Sequence, residues 1–88
     1  RARLVTPPLR GRDFPRPLIA SWPRGADIWT RLRVDTNGNV IQCEVMRGTG
    51  IPPIDNQVCA IVQQRVRFDP ATNRRGQRVA DWFGYRQE

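Results

Sequence analysis

The sequence contains no histidine and no lysine, and it has only two cysteines and one methionine among its 88 residues. Without histidine, the side chain that most often carries acid–base chemistry near neutral pH and binds metals is missing. Two cysteines alone cannot complete a tetrahedral zinc site. The eight carboxylates are scattered singly, and no glycine-rich phosphate loop or nucleophile elbow occurs. These absences argue against an enzyme and predict no catalytic residue, no metal site and no cofactor.

Long apolar runs are also missing. No run approaches the roughly 20 residues of a membrane span, and the first residues carry no signal-peptide core. Because the chain opens at Arg1 without a methionine, we expect it to be a piece of a longer protein, with any anchor or export signal upstream. Eighty-eight residues suit one small domain, which buries only about 60–65 % of its unfolded surface.

Charge is strongly one-sided, since 15 arginines face eight acidic residues and give a net charge of +7. We attribute the replacement of every lysine by arginine to the composition of the source genome, so arginine richness alone is no functional signal. A basic domain can still face nucleic acid, an anionic membrane or an acidic partner. The only local basic cluster is Arg74, Arg75 and Arg78.

The N-terminal part of the chain is rich in proline and arginine. Residues 1–12 show no sustained periodicity, and we interpret them as the end of a linker, with the domain occupying residues 13–88. Between Pro17 and Pro23 there is room for one or two helical turns. Proline suits a first helical turn and also ends an element, so a short helix is predicted here.

Two segments, residues 28–35 and 40–47, alternate between apolar and polar residues as half-buried strands do. Between them lies Asn37-Gly38, a strong hairpin signal, because a type I′ turn needs a positive φ at both central residues. A two-residue loop at this point predicts an apolar face that pairs Val34 with Ile41, Leu32 with Cys43 and Thr30 with Val45. The other face then pairs Arg31 with Glu44, Arg33 with Gln42 and Trp29 with Met46.

A helix is predicted from residue 54 or 55 to about residue 67, because its apolar residues fall on one arc. Pro70 ends it, residues 72–77 form a polar turn, and residues 78–86 alternate loosely as a last strand. The order helix, strand, strand, helix, strand predicts an α+β two-layer sandwich. Its layers are a small antiparallel three-stranded sheet and, against it, one main helix with one short N-terminal helix.

The two cysteines fall where this fold brings a strand and a helix together. Cys43 points to the helix-covered face of its strand, and Cys59 lies at the rim of the apolar arc of the helix. They could remain two buried thiols that behave as small hydrophobes. A Cys43–Cys59 disulfide is favoured, because closing a loop of about 15 residues stabilises a small domain by roughly 3 kcal/mol. A structural disulfide indicates an oxidising compartment such as a bacterial periplasm.

Several short motifs follow one another in a defined order. Asp13-Phe14-Pro15 precedes the short helix, and the hairpin has the pattern V-D-x-x-G-x-V. Gly50, Ile54-Asp55, the run R-F-x-P-A at residues 67–71 and Gly76 follow before the last strand. Together these residues resemble the C-terminal domain of TonB-type energy transducers over about residues 13–83.

The resemblance implies a non-enzymatic interaction domain in the periplasm. It implies an inner-membrane helix and a proline-rich spacer upstream, which link the domain to a proton-driven motor complex. The implied partners are outer-membrane TonB-dependent transporters for iron chelates such as siderophores, whose N-terminal segments add a strand to the sheet and so receive energy for active uptake.

The last strand is expected to be the exposed edge that captures this segment, with basic residues attracting it and aromatic residues contacting it. An open edge also allows a homodimer. The alternative function is binding of RNA or single-stranded nucleic acid on the sheet, but the predicted exposed face lacks the aromatic pattern of such domains, so no nucleic-acid partner is expected. The predicted partner-binding residues are Arg74, Arg75, Arg78, Val79, Ala80, Asp81, Trp82, Phe83 and Tyr85.

Overall fold

A three-stranded antiparallel sheet lies at the centre of the structure, a computed structural model that describes residues 1–88. The strand order is β3-β2-β7, and two further pairs, β1 with β4 and β5 with β6, form small two-stranded sheets. The predicted α+β class is confirmed. The elements are β1 (Arg3–Leu4), a 3₁₀ turn (Gly11–Asp13), α1 (Arg16–Ser21), β2 (Ile28–Val34), β3 (Val40–Arg47), α2 (Pro52–Arg65), β4 (Phe68–Asp69), β5 (Ala71–Thr72), β6 (Arg78–Val79) and β7 (Asp81–Gln87).

The core lies between the sheet and α2. On β2, Ile28, Leu32 and Val34 are at most 1 % exposed, and they meet Val58 and Val62 of α2, which are completely buried. Each such side chain contributes roughly 1.5–3 kcal/mol through burial. The predicted alternation of β2 is therefore confirmed, with one apolar face under the helix and one polar face outside.

Helix α2 begins at Pro52, earlier than predicted, and ends at Arg65. Pro52 and Pro53 occupy its first turn, where a missing N–H breaks no helical hydrogen bond. The carboxylate of Asp55, 8 % exposed, accepts hydrogen bonds from the N–H (2.9 Å) and hydroxyl (2.8 Å) of Thr49. This buried carboxylate fixes the loop between β3 and the helix.

The hairpin keeps the predicted register in its middle, from Thr30 opposite Val45 to Arg33 opposite Gln42. The predicted type I′ turn is wrong, because no residue other than glycine has a positive φ. Gly38, with φ 83°, donates its N–H to the carbonyl of Asp35. This geometry is a three-residue loop, a type I turn followed by a left-handed glycine.

The register differs from the predicted one at both ends of the hairpin, next to the longer loop and at the far end. Val34 pairs with Val40, so its predicted pairing with Ile41 is wrong, and Ile41 is 54 % exposed at a β-bulge. Near the other end, a second irregularity places Trp29 opposite Arg47, so the predicted Trp29–Met46 pair is also wrong.

The predicted last strand is divided in two. Arg78 and Val79 form β6, which pairs with β5, and the long strand β7 begins only at Asp81. The side-chain oxygen of Asn73 accepts hydrogen bonds from the N–H groups of Arg75 and Gln77 and so closes the small hairpin. This local turn chemistry favours the pairing of Arg78 and Val79 with β5.

The predicted disulfide is present. Cys43 of β3 and Cys59 of α2 are joined, with Cα atoms 5.7 Å apart and a sequence separation of 16. It links the outer strand of the hairpin to the helix that covers the sheet.

Residues 1–12, predicted to end a linker, lie against the domain. Strand β1 pairs with β4, and Ala2 is only 5 % exposed. The hydroxyl of Tyr85 accepts a hydrogen bond from the N–H of Leu9 at 3.1 Å and donates to Oε1 of Gln87 at 3.1 Å. The side-chain amide of Gln87 donates to the Leu9 carbonyl at 2.9 Å. The domain boundary after residue 12 stays a prediction.

Gly38 is expected to be the more sensitive of two matched turn glycines. A Cβ at Gly38 would clash with the main-chain carbonyl of Phe68. Phe68 is held in this place because its N–H donates a hydrogen bond to the Gly38 carbonyl. Gly76 has a similar positive φ, but the space around it is open. Left-handed strain alone costs about 1–2 kcal/mol. Gly76→Ala should lose about that amount in urea unfolding, and Gly38→Ala clearly more. Equal losses would contradict the proposed close contact.

Tyr85 should make the stability fall at alkaline pH. Burial raises the pKa of its phenol above the ordinary 10.0, an effect that the Leu9 N–H opposes and the Asp13 charge reinforces. Tyr85 thus contributes its full stabilisation below about pH 10 and loses it as the pH rises through the folded-state pKa. No lysine, histidine or free thiol titrates in that range.

Urea unfolding at pH 8 and pH 11 measures this loss. Tyr85→Phe should be about 1 kcal/mol less stable than the wild type at pH 8 and should show a smaller decline toward pH 11. An identical decline in both proteins would show that the phenol is not responsible.

Candidate binding surface

Strand β7 is an edge strand, because it has a strand neighbour only on its β2 side. The carbonyl of Tyr85 accepts a hydrogen bond from Oγ1 of Thr30 on β2 at 2.9 Å, so the Tyr85 main chain faces β2. Main-chain groups of successive residues alternate between the two sides of an antiparallel strand. Trp82, Gly84 and Arg86 therefore direct their N–H and C=O groups to the free edge.

One of these outward groups has a partner within the strand. The N–H of Trp82 donates to the carboxylate of Asp81 at 2.8 Å. Unpaired groups on an edge strand attract other chains, and a charged side chain at the edge is a common protection. Asp81 thus covers one end of the free edge.

The two faces of β7 differ. Tyr85 is 5 % exposed and belongs to the core, and the ring of Phe83 lies 4.6 Å from that of Phe68, centroid to centroid. Trp82, Gly84 and Arg86 lie on the opposite face, which no helix covers. We call this outer side of the sheet the open face.

Arginine and tryptophan side chains stack on the open face. The guanidinium of Arg31 lies 4.1 Å from the centre of the Trp82 ring system, and that of Arg33 lies 5.4 Å from it. Arg86 lies 5.3 Å from the Trp29 ring. Such contacts contribute about 0.5–1 kcal/mol each at exposed positions. The predicted pairing of Arg31 with Glu44 is confirmed as a salt bridge, so the stacked layer is also fixed from the β3 side.

The structure divides the predicted partner-binding residues between two neighbouring elements. The basic ones lie on the small β5–β6 hairpin, are exposed and take part in no salt bridge. Ala80 connects this hairpin to β7. Arg74 and Arg75 are in the turn, Arg78 and Val79 form β6, and Asp81, Trp82, Phe83 and Tyr85 belong to β7.

Sequence reasoning missed Gly84 and Arg86, the other two residues with outward main-chain groups. A signal for Gly84 was available, because an isolated glycine within a strand pattern often marks a place where another backbone approaches. Trp82 is the only aromatic residue of β7 whose side chain lies on the open face. Phe83 and Tyr85 instead support the strand from the core side.

The structure contains neither a metal-binding cluster nor a membrane-spanning helix. The structure brings together no group of three or more histidine, cysteine, aspartate or glutamate side chains. Neither of its helices has the length and apolar character needed to cross a bilayer.

Comparison with known proteins identifies the family. A family model described as Gram-negative bacterial TonB protein C-terminal matches residues 25–85. No curated protein and no solved structure matches the chain significantly. The matched range holds β2, β3, α2 and residues 81–85 of β7, so it includes most of the central sheet and of its free edge. The resemblance of the motifs is confirmed, and the chain belongs to the TonB C-terminal domain family, whose members are non-catalytic periplasmic interaction domains.

Proposed function

We propose that this domain binds the N-terminal segment of outer-membrane transporters by strand addition to β7 and thereby transmits energy for active uptake, including siderophore uptake. Family membership supports the partner class, because TonB C-terminal domains interact with outer-membrane transporters. In this proposal the longer protein is anchored in the inner membrane by an N-terminal helix and is driven there by a proton-powered complex.

The observation that carries the proposal is the free edge of β7. Trp82, Gly84 and Arg86 offer main-chain donors and acceptors there, and an extended segment gains hydrogen bonds from them whatever its side chains. Each such bond contributes about 0.5–1.5 kcal/mol net. The carboxylate of Asp81 leaves the Trp82 N–H when the segment arrives, and a carbonyl of the segment replaces it.

The β5–β6 hairpin adds a long-range attraction. Arg74, Arg75 and Arg78 are exposed, lack acidic partners and directly precede β7 in the chain. Unpaired surface charges of one sign raise the rate at which an oppositely charged segment arrives. A transporter segment with acidic residues would therefore be steered toward the start of the edge.

The disulfide and the family membership both argue against binding of RNA or single-stranded nucleic acid. A Cys43–Cys59 disulfide is typical of an oxidising compartment, where RNA is no ordinary partner. On the open face, Arg31 and Arg86 already pair with Glu44 and Asp27, so fewer arginine charges are left for phosphates.

Blocking the edge at one main-chain group should weaken capture. In Arg86→Pro the outward N–H is replaced by a ring, while no hydrogen bond to β2 is lost. We expect Arg86→Pro to weaken binding of a transporter N-terminal peptide at least about tenfold, equivalent to roughly 1.4 kcal/mol. The matched control, Arg86→Ala, loses the same side chain but keeps the N–H, and it should bind nearly as the wild type.

Fluorescence anisotropy measures the two affinities, and backbone amide shifts on titration locate the peptide. Circular dichroism of both variants checks the fold. Equal binding by the two variants, or shifts confined to β3, would contradict capture at β7.

Charge reversal on the β5–β6 hairpin should slow the association of an acidic peptide mainly at low salt. Arg74→Glu with Arg75→Glu should slow association of an acidic peptide at about 0.01 M salt, where charges act over about 30 Å, and have little effect at about 1 M. The control Arg16→Glu with Arg24→Glu changes the net charge equally at exposed positions outside the hairpin. Stopped-flow measurements compare the association rates of the two double variants at both salt concentrations. The same slowing in both double variants would mean that only net charge, not the hairpin, matters.

A further inference from the structure

Gly84 is a glycine that the fold itself does not require. Its φ is not positive, unlike that of Gly25, Gly38, Gly50 and Gly76. A Cβ built on it has no atom within 4 Å, so no neighbour in the domain excludes a side chain. Glycine inside a strand costs roughly 0.5–1 kcal/mol relative to alanine. No contact within the domain therefore explains why this position has no side chain.

The space over Gly84 has defined walls. On the open face, Trp82 and Arg86 are its neighbours along β7, and Arg31 lies opposite it on β2. The indole of Trp82 is held by the guanidinium of Arg31 at 4.1 Å. We call this space the Gly84 gap. It has the indole of Trp82 at one end, the Arg86 side chain at the other and main chain as its floor. The Arg86 guanidinium itself lies over the Trp29 ring at 5.3 Å.

The positive charges of the two arginines beside the gap are compensated by acidic side chains. Arg31 is paired with Glu44 at 2.6 Å, and Arg86 is paired with Asp27 at 2.7 Å and Glu88 at 3.4 Å. Paired guanidinium groups offer flat surfaces on which aromatic rings stack, and they have little excess charge to attract an acid. Charge complementarity thus favours an uncharged, flat side chain in the gap.

Strand addition brings such a side chain to this place. Gly84 directs its main-chain groups to the free edge, so a bound segment pairs with it directly. The segment residue beside Gly84 places its side chain on the open face, over the main chain of Gly84. An aromatic ring next to a strand glycine covers the exposed main chain and restores the missing packing.

We infer that the Gly84 gap is a specificity pocket for one large aromatic side chain of the captured segment. This inference rests on the proposed capture at β7 and adds to it a preference for one kind of peptide. Main-chain hydrogen bonds hold any extended peptide, whereas the gap distinguishes peptides by the residue at a single position. Trp82 and Arg86 are the walls that contact the ring.

A scanning series of peptides tests the inference. A transporter N-terminal peptide is synthesised with alanine or tryptophan at each position in turn, and the affinity of each peptide is measured by fluorescence anisotropy. For the wild type, one position should show about 3- to 10-fold tighter binding with tryptophan, the range expected for an aromatic contact. Every other position should differ less.

The variant Gly84→Val fills the gap and keeps the outward N–H. It should fold at least as stably as the wild type in urea unfolding, because a β-branched residue suits a strand. In Gly84→Val the tryptophan and alanine peptides should bind with affinities within about twofold of each other, so the tryptophan preference is lost. Gly76→Ala, at a glycine of the hairpin turn, is the control and should keep the preference; valine is avoided there because a β-branched residue resists the positive φ of 76°.

The outcomes separate the inference from the proposed function. If alanine peptides bind the wild type, depend on the Arg86 N–H and show no preferred tryptophan position, capture stands and the specificity pocket is wrong. A preference that persists in Gly84→Val also overturns the pocket. If no peptide binds at β7 at all, the proposed function itself fails.

Discussion

The burial of one face of β2 against α2 is the interaction on which the rest of the structure depends. Ile28, Leu32 and Val34 point to the helix and are almost inaccessible to water. Because side chains alternate along a strand, the same contact forces Trp29, Arg31 and Arg33 to the outside. The open face is thus a direct consequence of the core. With β2 in the centre, β3 and β7 take its two sides, and β7 is left with a free edge.

Local patterns predicted the parts of this fold that depend on alternation. The middle of the hairpin and the Cys43–Cys59 disulfide follow from which residues of β3 and α2 are apolar. The turn could not be predicted in the same way, since Asn37-Gly38 fits either of two loop lengths. In the structure, the carboxylate of Asp35 accepts hydrogen bonds from the N–H groups of Asn37 and Asn39, and this favours the longer loop. Such competition between side-chain and main-chain partners is not visible in periodicity.

The position of the last strand at an edge of the sheet was predicted, but the orientation of its side chains was not. The order of the elements placed the last strand at an edge, but both alternate sets of that strand contain an aromatic residue. Only tertiary contacts show that Phe83 and Tyr85 belong to the core and that Trp82 lies outside. Gly84 was overlooked although an isolated glycine within a strand pattern is a signal. The role inferred for it depends on the absence of any neighbour that would exclude a side chain, which only the structure shows.

The pairing of β7 with β2 has a mechanical consequence. The two strands are in register over seven consecutive residue pairs, from Ile28 with Gln87 to Val34 with Asp81. A tension applied along a segment bound to β7 acts parallel to the strands, so it loads these hydrogen bonds together in shear rather than opening them one after another. On the far side of the sheet, the covalent link between Cys43 and Cys59 prevents β3 from separating from the helix layer. A force entering at the edge would thus be shared across the sheet, and the covalent link would hold β3 to α2 while it acts.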